Sequence, residues 1–152
     1  MDMIRKEMTM AGKRSIDLRN KTILVTGSPG FIGANLVKRL LNDDEAEKVI
    51  SVDNLNDYYD VGLKIHRLDE INCLMSDSDT AHIFKKGDLK DASFVNDIFK
   101  TFKPDIVVNL AAQAGVRYSI EYPEKYIDSN IIGFFNILEA CRHSYDGGMK
   151  GL

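Results

Sequence analysis

The chain has 152 residues, enough for one domain that buries roughly 70% of the surface exposed by its unfolded form. Its 44% hydrophobic and 28% charged residues are typical of a soluble globular protein and exclude a disordered or fibrous one. A net charge of -3 argues against a broad basic surface, so we expect neither a nucleic acid nor a membrane as partner.

The first half of the chain predicts two strands, each followed by a helix. Short apolar runs at Thr22–Thr26 and Lys48–Asp53 have the composition of strands that are covered on both faces. After the first run, apolar residues recur every three or four positions from Ile32 to Leu41, which predicts an amphipathic helix. A weaker stripe of the same kind follows the second run, from Val61 to Ile71.

The second half repeats this alternation. Strands are predicted at Ala81–Asp88 and Asp105–Ala111, and helical stripes run from Phe94 to Phe102 and from Pro123 to Cys141. The order is therefore β-α-β-α-β-α-β-α. Because right-handed crossovers join parallel neighbouring strands, this order predicts an α/β fold with a doubly wound parallel sheet. The last residues, "SYDGGMKGL", are expected to follow the fourth helix as a tail.

Three glycines separate the first strand from the first helix, in the pattern Gly27-x-x-Gly30-x-x-Gly33. In this context the first glycine permits a tight turn, the second a close approach of a pyrophosphate, and the third close packing of helix on strand. The helix N-terminus then offers free N–H groups to the phosphates. A simple turn is the alternative interpretation. A nucleoside-triphosphatase phosphate loop is excluded, because no lysine follows Gly33.

A carboxylate at the end of the second predicted strand suggests which dinucleotide would bind. Asp53 follows Gly33 by twenty positions, where an acid can accept hydrogen bonds from the adenosine ribose hydroxyls. A 2′-phosphate would meet a like charge there, so the sequence favours NAD over NADP. The alternative is a solvated loop carboxylate.

Cysteine usage and the first residues predict a cytoplasmic protein. Cys73 and Cys141 have neither C-x-x-C nor metal-ligand spacing, which predicts two buried, reduced thiols. The three histidines are also far apart, so no metal site is predicted. Residues 1–20 scatter charges without the apolar core of a secretory signal, and we interpret them as an N-terminal extension.

Four segments of the chain resemble the extended short-chain dehydrogenase/reductase family, which includes NAD-dependent epimerases and dehydratases. They are "VTGSPGFIG", "GDLKD", "VVNLAAQAGVRYS" and "SNIIGFFNILEACR". Within that family, "DNLNDYYDVGLKIHRL" and "AAQAGVRYS" look most like the UDP-glucuronate 4-epimerases. The resemblance implies a Rossmann-type NAD-binding domain at residues 21–146, truncated after the fourth strand and helix. It leaves residues 147–152 as a truncated tail, with the substrate domain absent.

The resemblance also implies a set of site residues. Those expected to contact NAD are Gly27, Gly30, Phe31, Ile32 and Gly33 at the pyrophosphate, Asp53 and Asn54 at the ribose, Asp88 and Leu89 at the adenine, Ala111, Ala112 and Gln113 toward the nicotinamide, and Asn130 near the active site. Arg117 and Ser119 would lie where the pocket for the UDP-sugar substrate begins. Their alternatives are a surface guanidinium and a helix-entry hydroxyl, and for Asn130 a satisfied packing contact.

By the same resemblance, NAD takes a hydride from C4 of the sugar and returns it to the opposite face after the 4-keto sugar rotates. The family's base for this step is a tyrosine in a Tyr-x-x-x-Lys pair, assisted by Ser or Thr. None of the six tyrosines of these 152 residues has a lysine four positions later. We therefore expect no catalytic residue within this chain, and no turnover by the chain alone.

Two other hypotheses stay open. One is a stand-alone dinucleotide-binding module without catalysis, and the other is a sugar-nucleotide dehydratase or another 4-epimerase of the same family. The fourth predicted strand would also lie at an unpaired sheet edge, from which we expect self-association or a homodimer.

Overall fold

The computed structural model describes residues 17–43 and 46–148. Within these ranges four parallel strands form one sheet in the order β3-β2-β1-β4. The strands are β1 (Thr22–Thr26), β2 (Lys48–Asp53), β3 (Ala81–Lys86) and β4 (Ile106–Asn109). Residues 1–16 of the predicted extension and 149–152 of the predicted tail lie outside the described residues.

Helices connect the strands and follow the last one. They are α1 (Phe31–Asn42), α2 (Val61–Leu74), α3 (Ala92–Phe102), α4 (Val116–Glu121), α5 (Pro123–Tyr126) and α6 (Phe134–Gly148), with a π-helical turn (Ile127–Gly133) between the last two. Asp91 caps α3 as its side chain accepts hydrogen bonds from the N–H groups of Ser93 and Phe94.

The alternation of side chains along the strands builds a core on each face of the sheet. On one face, Ile23 and Val25 of β1 pack with Val37 of α1 and Ile71 of α2, all at most 2% exposed. On the other face, Leu24 of β1 packs with the buried apolar residues of α3 and α6. Helices thus cover both faces, which confirms the predicted doubly wound parallel sheet.

Strand ends and the segment after β4 differ from the sequence prediction. β3 ends at Lys86, two residues early, and β4 is shorter at both ends. Asp105 does not belong to β4, and its carboxylate accepts a hydrogen bond from the Thr22 N–H at 2.8 Å. No helix was predicted at residues 116–121, where α4 forms. Its apolar residues Val116 and Ile120 are 82% and 78% exposed. The helix therefore has no buried apolar stripe from which the sequence could predict it.

The C-terminal helix extends farther than predicted, because α6 continues to Gly148 rather than ending before Ser144. The prediction of two buried thiols was wrong. Cys73 lies exposed on α2, and Cys141 on α6 is only half-buried. Ile71 points into the core, and a residue two positions later in a helix lies on nearly the opposite side. Cys73 therefore faces solvent.

The edges of the sheet are β3 and β4 within residues 17–43 and 46–148. The side of β4 that faces away from β1 carries no neighbouring strand in this part of the chain. Self-association through that edge stays a prediction. In the same residues, no helix combines the length and apolarity that crossing a bilayer requires.

One buried histidine on β3 should make stability depend on pH. His82 is 6% exposed, and its Nε2 lies 2.9 Å from the Ser51 hydroxyl. Burial lowers its pKa from 6.5 to about 4. Between these two pH values the unfolded chain binds a proton that the folded chain does not, so stability falls as the pH falls from 6.5 toward 4.

We expect the His82→Gln variant to lose less stability than the wild type between pH 7 and pH 5, by about 2 kcal/mol. Urea unfolding at the two pH values measures this difference. Other titrating groups are common to both proteins, so the comparison isolates the histidine. Equal losses in the two proteins would contradict the assignment.

Candidate functional site

The carboxyl ends of the strands open into a cleft of about 360 Å³. It lies where the strand order reverses, since β1 is flanked by β2 on one side and by β4 on the other. In open parallel sheets this topological switch point is where ligands bind. The strand order of the sheet therefore determines where the cleft lies.

Twelve of the thirteen residues predicted to contact the cofactor line this cleft. They are Gly27, Gly30, Phe31, Ile32, Gly33, Asp53, Asn54, Asp88, Leu89, Ala111, Ala112 and Gln113. They come from four separate segments of the chain, each of which lies at or just after the carboxyl end of a strand. The cleft is also lined by residues that we did not predict, namely Val52, Asn56, Tyr58, Tyr59, Lys64, Gly87, Leu110 and Ser129.

The glycine loop has no room for side chains at two of its three glycines. Gly27 has a φ of +67°, and a Cβ there would lie 2.8 Å from the backbone N of Ala111. A Cβ at Gly33 would overlap the carbonyl oxygen of Gly27 and lie 2.8 Å from the Cα of Ser28. Main chain thus packs directly on main chain between the loop, β4 and α1.

The N-terminus of α1 is left open for an anion. Gly30 precedes the helix and provides no side-chain cap, and the first turn contains no acidic residue. The amides of the first turn therefore have no carboxylate competing for them within the helix. The helix dipole adds about half a positive charge at this point. These are the features of a phosphate-binding helix N-terminus.

Asp53 ends β2 with its carboxylate largely buried, at 11% side-chain exposure. Its Oδ1 accepts a hydrogen bond from the Leu55 N–H at 2.7 Å and lies 3.4 Å from the Lys64 ammonium. Beside it, the Asn54 side-chain amide donates to Asp88 at 3.2 Å. This last contact joins the ends of β2 and β3 across the cleft.

Thr26 joins β1 to the segment that follows β4. Its hydroxyl donates to Asn109 Oδ1 at 2.5 Å and accepts from the N–H groups of Leu110 and Ala111 at 3.1 and 3.2 Å. Thr26 itself is fully buried. These contacts hold the backbone of Leu110 and Ala111, which both line the cleft.

Asn130 does not line the cleft, although we predicted that it contacts the cofactor. Its side-chain amide accepts a hydrogen bond from the Gln113 N–H at 2.8 Å and donates to the Gln113 carbonyl at 2.9 Å. Gln113 is 8% exposed and does line the cleft. Asn130 therefore holds the backbone of this wall, and it does so from the π-helical turn.

Both predicted substrate residues lie on α4, outside the cleft. Arg117 is exposed. The Ser119 hydroxyl donates to the carbonyl of Val116 at 2.6 Å, as a helix hydroxyl commonly does. Ser119 is the fourth residue of α4 and so does not stand at the helix entry, and neither Arg117 nor Ser119 lines the cleft with the predicted cofactor residues.

A cluster of tyrosines lies beside the cleft, which Tyr58 lines. Tyr58 and Tyr118 approach to 4.7 Å between ring centroids, as do Tyr118 and Tyr122. The Tyr126 hydroxyl donates to the Ala114 carbonyl at 2.7 Å. Loss of hydration and nearby tyrosines raise the pKa of Tyr126 above its usual value, which suits it to donate this hydrogen bond rather than to act as a base.

The chain is similar to known proteins over most of its length. It matches the family model described as GDP-mannose 4,6 dehydratase at residues 24–150. It is 50% identical over 121 residues to Protein CapI of Staphylococcus aureus, covering 80% of this chain and 34% of that protein. It is 43% identical over 129 residues to a UDP-glucuronate 4-epimerase of Thermodesulfobacterium geofontis, covering 85% of this chain and 37% of the relative.

The fold is also similar to that of solved structures. The crystal structure of a Thermus thermophilus UDP-glucose 4-epimerase in complex with NAD matches with a TM-score of 0.64 and 32% identity, covering 82% of this chain and 34% of that one. The chain spans about a third of the length of these relatives. The resemblance seen in the sequence segments is confirmed.

Proposed function

The chain belongs to the GDP-mannose 4,6 dehydratase family, and from this premise we propose that it is the NAD-binding portion of a nucleotide-sugar 4-epimerase. Its relatives include UDP-sugar 4-epimerases, one of them solved with NAD. The single observation that carries the proposal is that one cleft holds both a glycine loop, packed too closely for a side chain at Gly27 or Gly33, and the carboxylate of Asp53. The loop matches a pyrophosphate, and the carboxylate matches a ribose diol.

The residues of the cleft fit this cofactor. The amides at the start of α1 would hold the pyrophosphate, since no side chain caps this helix and its first turn has no acidic residue. Asp53 would accept hydrogen bonds from the adenosine ribose, with Asn54 beside it. Asp88 and Leu89 would border the adenine.

The wall formed by Ala111, Ala112 and Gln113 would lie along the nicotinamide half of the cofactor. Small side chains at the first two positions leave space for a flat ring, and Asn130 keeps this wall in place. When bound, NAD supplies the acceptor and donor of the hydride at C4 of a sugar. The protein's part in this chain is to bind and orient it.

We propose UDP-glucuronate as the sugar nucleotide of the complete enzyme. Support comes from the UDP-glucuronate 4-epimerase relatives, such as the T. geofontis protein. On this proposal residues 21–146 are the NAD-binding domain, flanked by an extension at 1–20 and a tail at 147–152, and the substrate domain is not part of these residues. Self-association through β4 and a cytoplasmic setting belong to the same proposal.

The 152-residue chain alone is expected to show no epimerase activity, because it contains no Tyr-x-x-x-Lys pair to take the proton from the sugar hydroxyl. The purified chain is incubated with NAD and UDP-glucuronate, and UDP-galacturonate is sought by chromatography. The T. geofontis UDP-glucuronate 4-epimerase serves as the positive control. Formation of the product by this chain would show that a base other than the tyrosine is present.

A further inference from the structure

Lys64 places a positive charge inside the wall of the cleft. The residue is 7% exposed, although its neighbours on α2, Leu63 and Ile65, are 46% and 47% exposed. Its ammonium lies 2.9 Å from Asn56 Oδ1, 3.1 Å from the Asn56 carbonyl and 3.4 Å from Asp53 Oδ1. All three of its N–H donors therefore have an acceptor, which offsets the cost of burying the charge.

These contacts fix the orientation of the Asp53 carboxylate toward the cleft. The Leu55 N–H and the Lys64 ammonium both engage Oδ1. Oδ2 accepts no hydrogen bond from residues 17–43 and 46–148, and Asp53 lines the cleft. One oxygen of the carboxylate is thus held by the protein, and the other is left for a ligand.

Lys64 also fixes the loop that follows β2. Leu55 has a φ of 53°, a left-handed conformation that a residue other than glycine adopts at some cost. The Asn56 N–H donates to Asn54 Oδ1 at 3.0 Å, and Lys64 holds both oxygens of Asn56 from the other side. The turn of the loop is therefore tied to α2 through this one side chain.

We propose that Lys64 is a positioning residue for the ribose diol, which presets Asp53 and the Asn54–Asn56 loop to receive it. This inference rests on the proposed function, since the diol is that of the adenosine half of NAD. The lysine contributes to affinity through Asp53 rather than through its own contact, because its three donors are already used. The ligand chemistry that it selects is a sugar with adjacent free hydroxyls.

The test compares two ligands on the wild type and on Lys64→Met, which keeps the length of the side chain but removes the charge. The ligands are NAD and an NAD analogue whose adenosine ribose lacks both hydroxyls. We expect the variant to bind NAD about tenfold more weakly, the order expected for a lost charge-assisted hydrogen bond. We expect it to bind the analogue as the wild type does.

A matched control is Lys38→Met, since Lys38 pairs with Glu70 at the surface between α1 and α2 and does not line the cleft. This variant should bind both ligands as the wild type does. Where Lys64→Met fails to fold by circular dichroism, Asn56→Ala replaces it. That variant retains the lysine but removes its acceptor at 2.9 Å, so a smaller loss confined to NAD is expected.

Each outcome decides the matter. A wild type that does not bind NAD overturns both the proposed function and this inference. A wild type that binds NAD, with a Lys64 variant equal to it for both ligands, overturns the inference alone. Equal losses for NAD and for the analogue also overturn it, because they assign the lysine a merely structural role.

Discussion

Replacing Gly33 by alanine is expected to weaken NAD binding by up to about a hundredfold and to destabilise the fold. The added Cβ would overlap the Gly27 carbonyl oxygen and lie 2.8 Å from the Ser28 Cα, and both are backbone atoms that cannot turn aside. Helix α1 must then move away from the loop that its amides complete. Overpacking of this kind costs about 1–3 kcal/mol. If about 3 kcal/mol of this cost is lost from the free energy of NAD binding, the affinity falls about a hundredfold.

The measurements are isothermal titration calorimetry with NAD and urea unfolding of the same protein. Gly62→Ala is the matched control, because a Cβ at the exposed Gly62 would approach only the flexible Asp60 carboxylate, at 3.1 Å. It should leave NAD binding unchanged. Wild-type affinity in the Gly33 variant would show that the glycine loop does not hold the ligand.

Replacing Asp53 by alanine is expected to weaken NAD binding by about 10- to 100-fold, the range for hydrogen bonds made by a charged group. The same change should reverse the preference for NAD over NADP. The carboxylate that would repel a 2′-phosphate is then gone, and the Lys64 ammonium, formerly 3.4 Å from it, is left without its counter-charge. A 2′-phosphate becomes the natural partner of that charge.

Titration of both dinucleotides into both proteins checks this prediction. Asp69→Ala is a suitable control, since Asp69 is an exposed carboxylate on the same helix as Lys64 and does not line the cleft. The control should keep the wild-type ratio of NAD to NADP affinity. An Asp53 variant that kept this ratio would place the ribose elsewhere.

Apolar patterning was sufficient to predict the sheet. β1 and β2 coincide with the predicted runs Thr22–Thr26 and Lys48–Asp53, because strands buried on both faces need mostly apolar sequence. The glycine spacing and the position of Asp53 at the end of β2 also predicted two walls of the cleft. The glycines carry this signal because of how closely the loop is packed. Backbone packed on backbone tolerates only glycine.

What the pattern did not predict depends on contacts between distant segments. Lys64 was not predicted to be buried, because a lysine does not contribute to an apolar stripe, and its acceptors come from the loop after β2. The tyrosines at positions 58 and 118 meet only because the segments after β2 and β4 converge on the same cleft. Pairs of residues so far apart in the sequence cannot be predicted from local patterns.

Asn130 is a second residue whose hydrogen-bond partners could not be predicted from the sequence. The family resemblance placed it near the cofactor, and in the structure it makes two hydrogen bonds to the backbone of Gln113, which lines the cleft. α4 was missed because its apolar side chains are exposed in residues 116–121. A helix without a buried face has no periodic signal to detect.

Calorimetric titration of NAD into the folded wild-type chain tests the central claim most directly, namely that bare main-chain amides at the start of α1 and one carboxylate at the end of β2 hold this dinucleotide. The expected result is saturable uptake of one NAD per cleft, strongly weakened in Gly33→Ala and retained in Gly62→Ala. A chain that is folded by circular dichroism and shows no binding of NAD at any temperature tested would contradict the account.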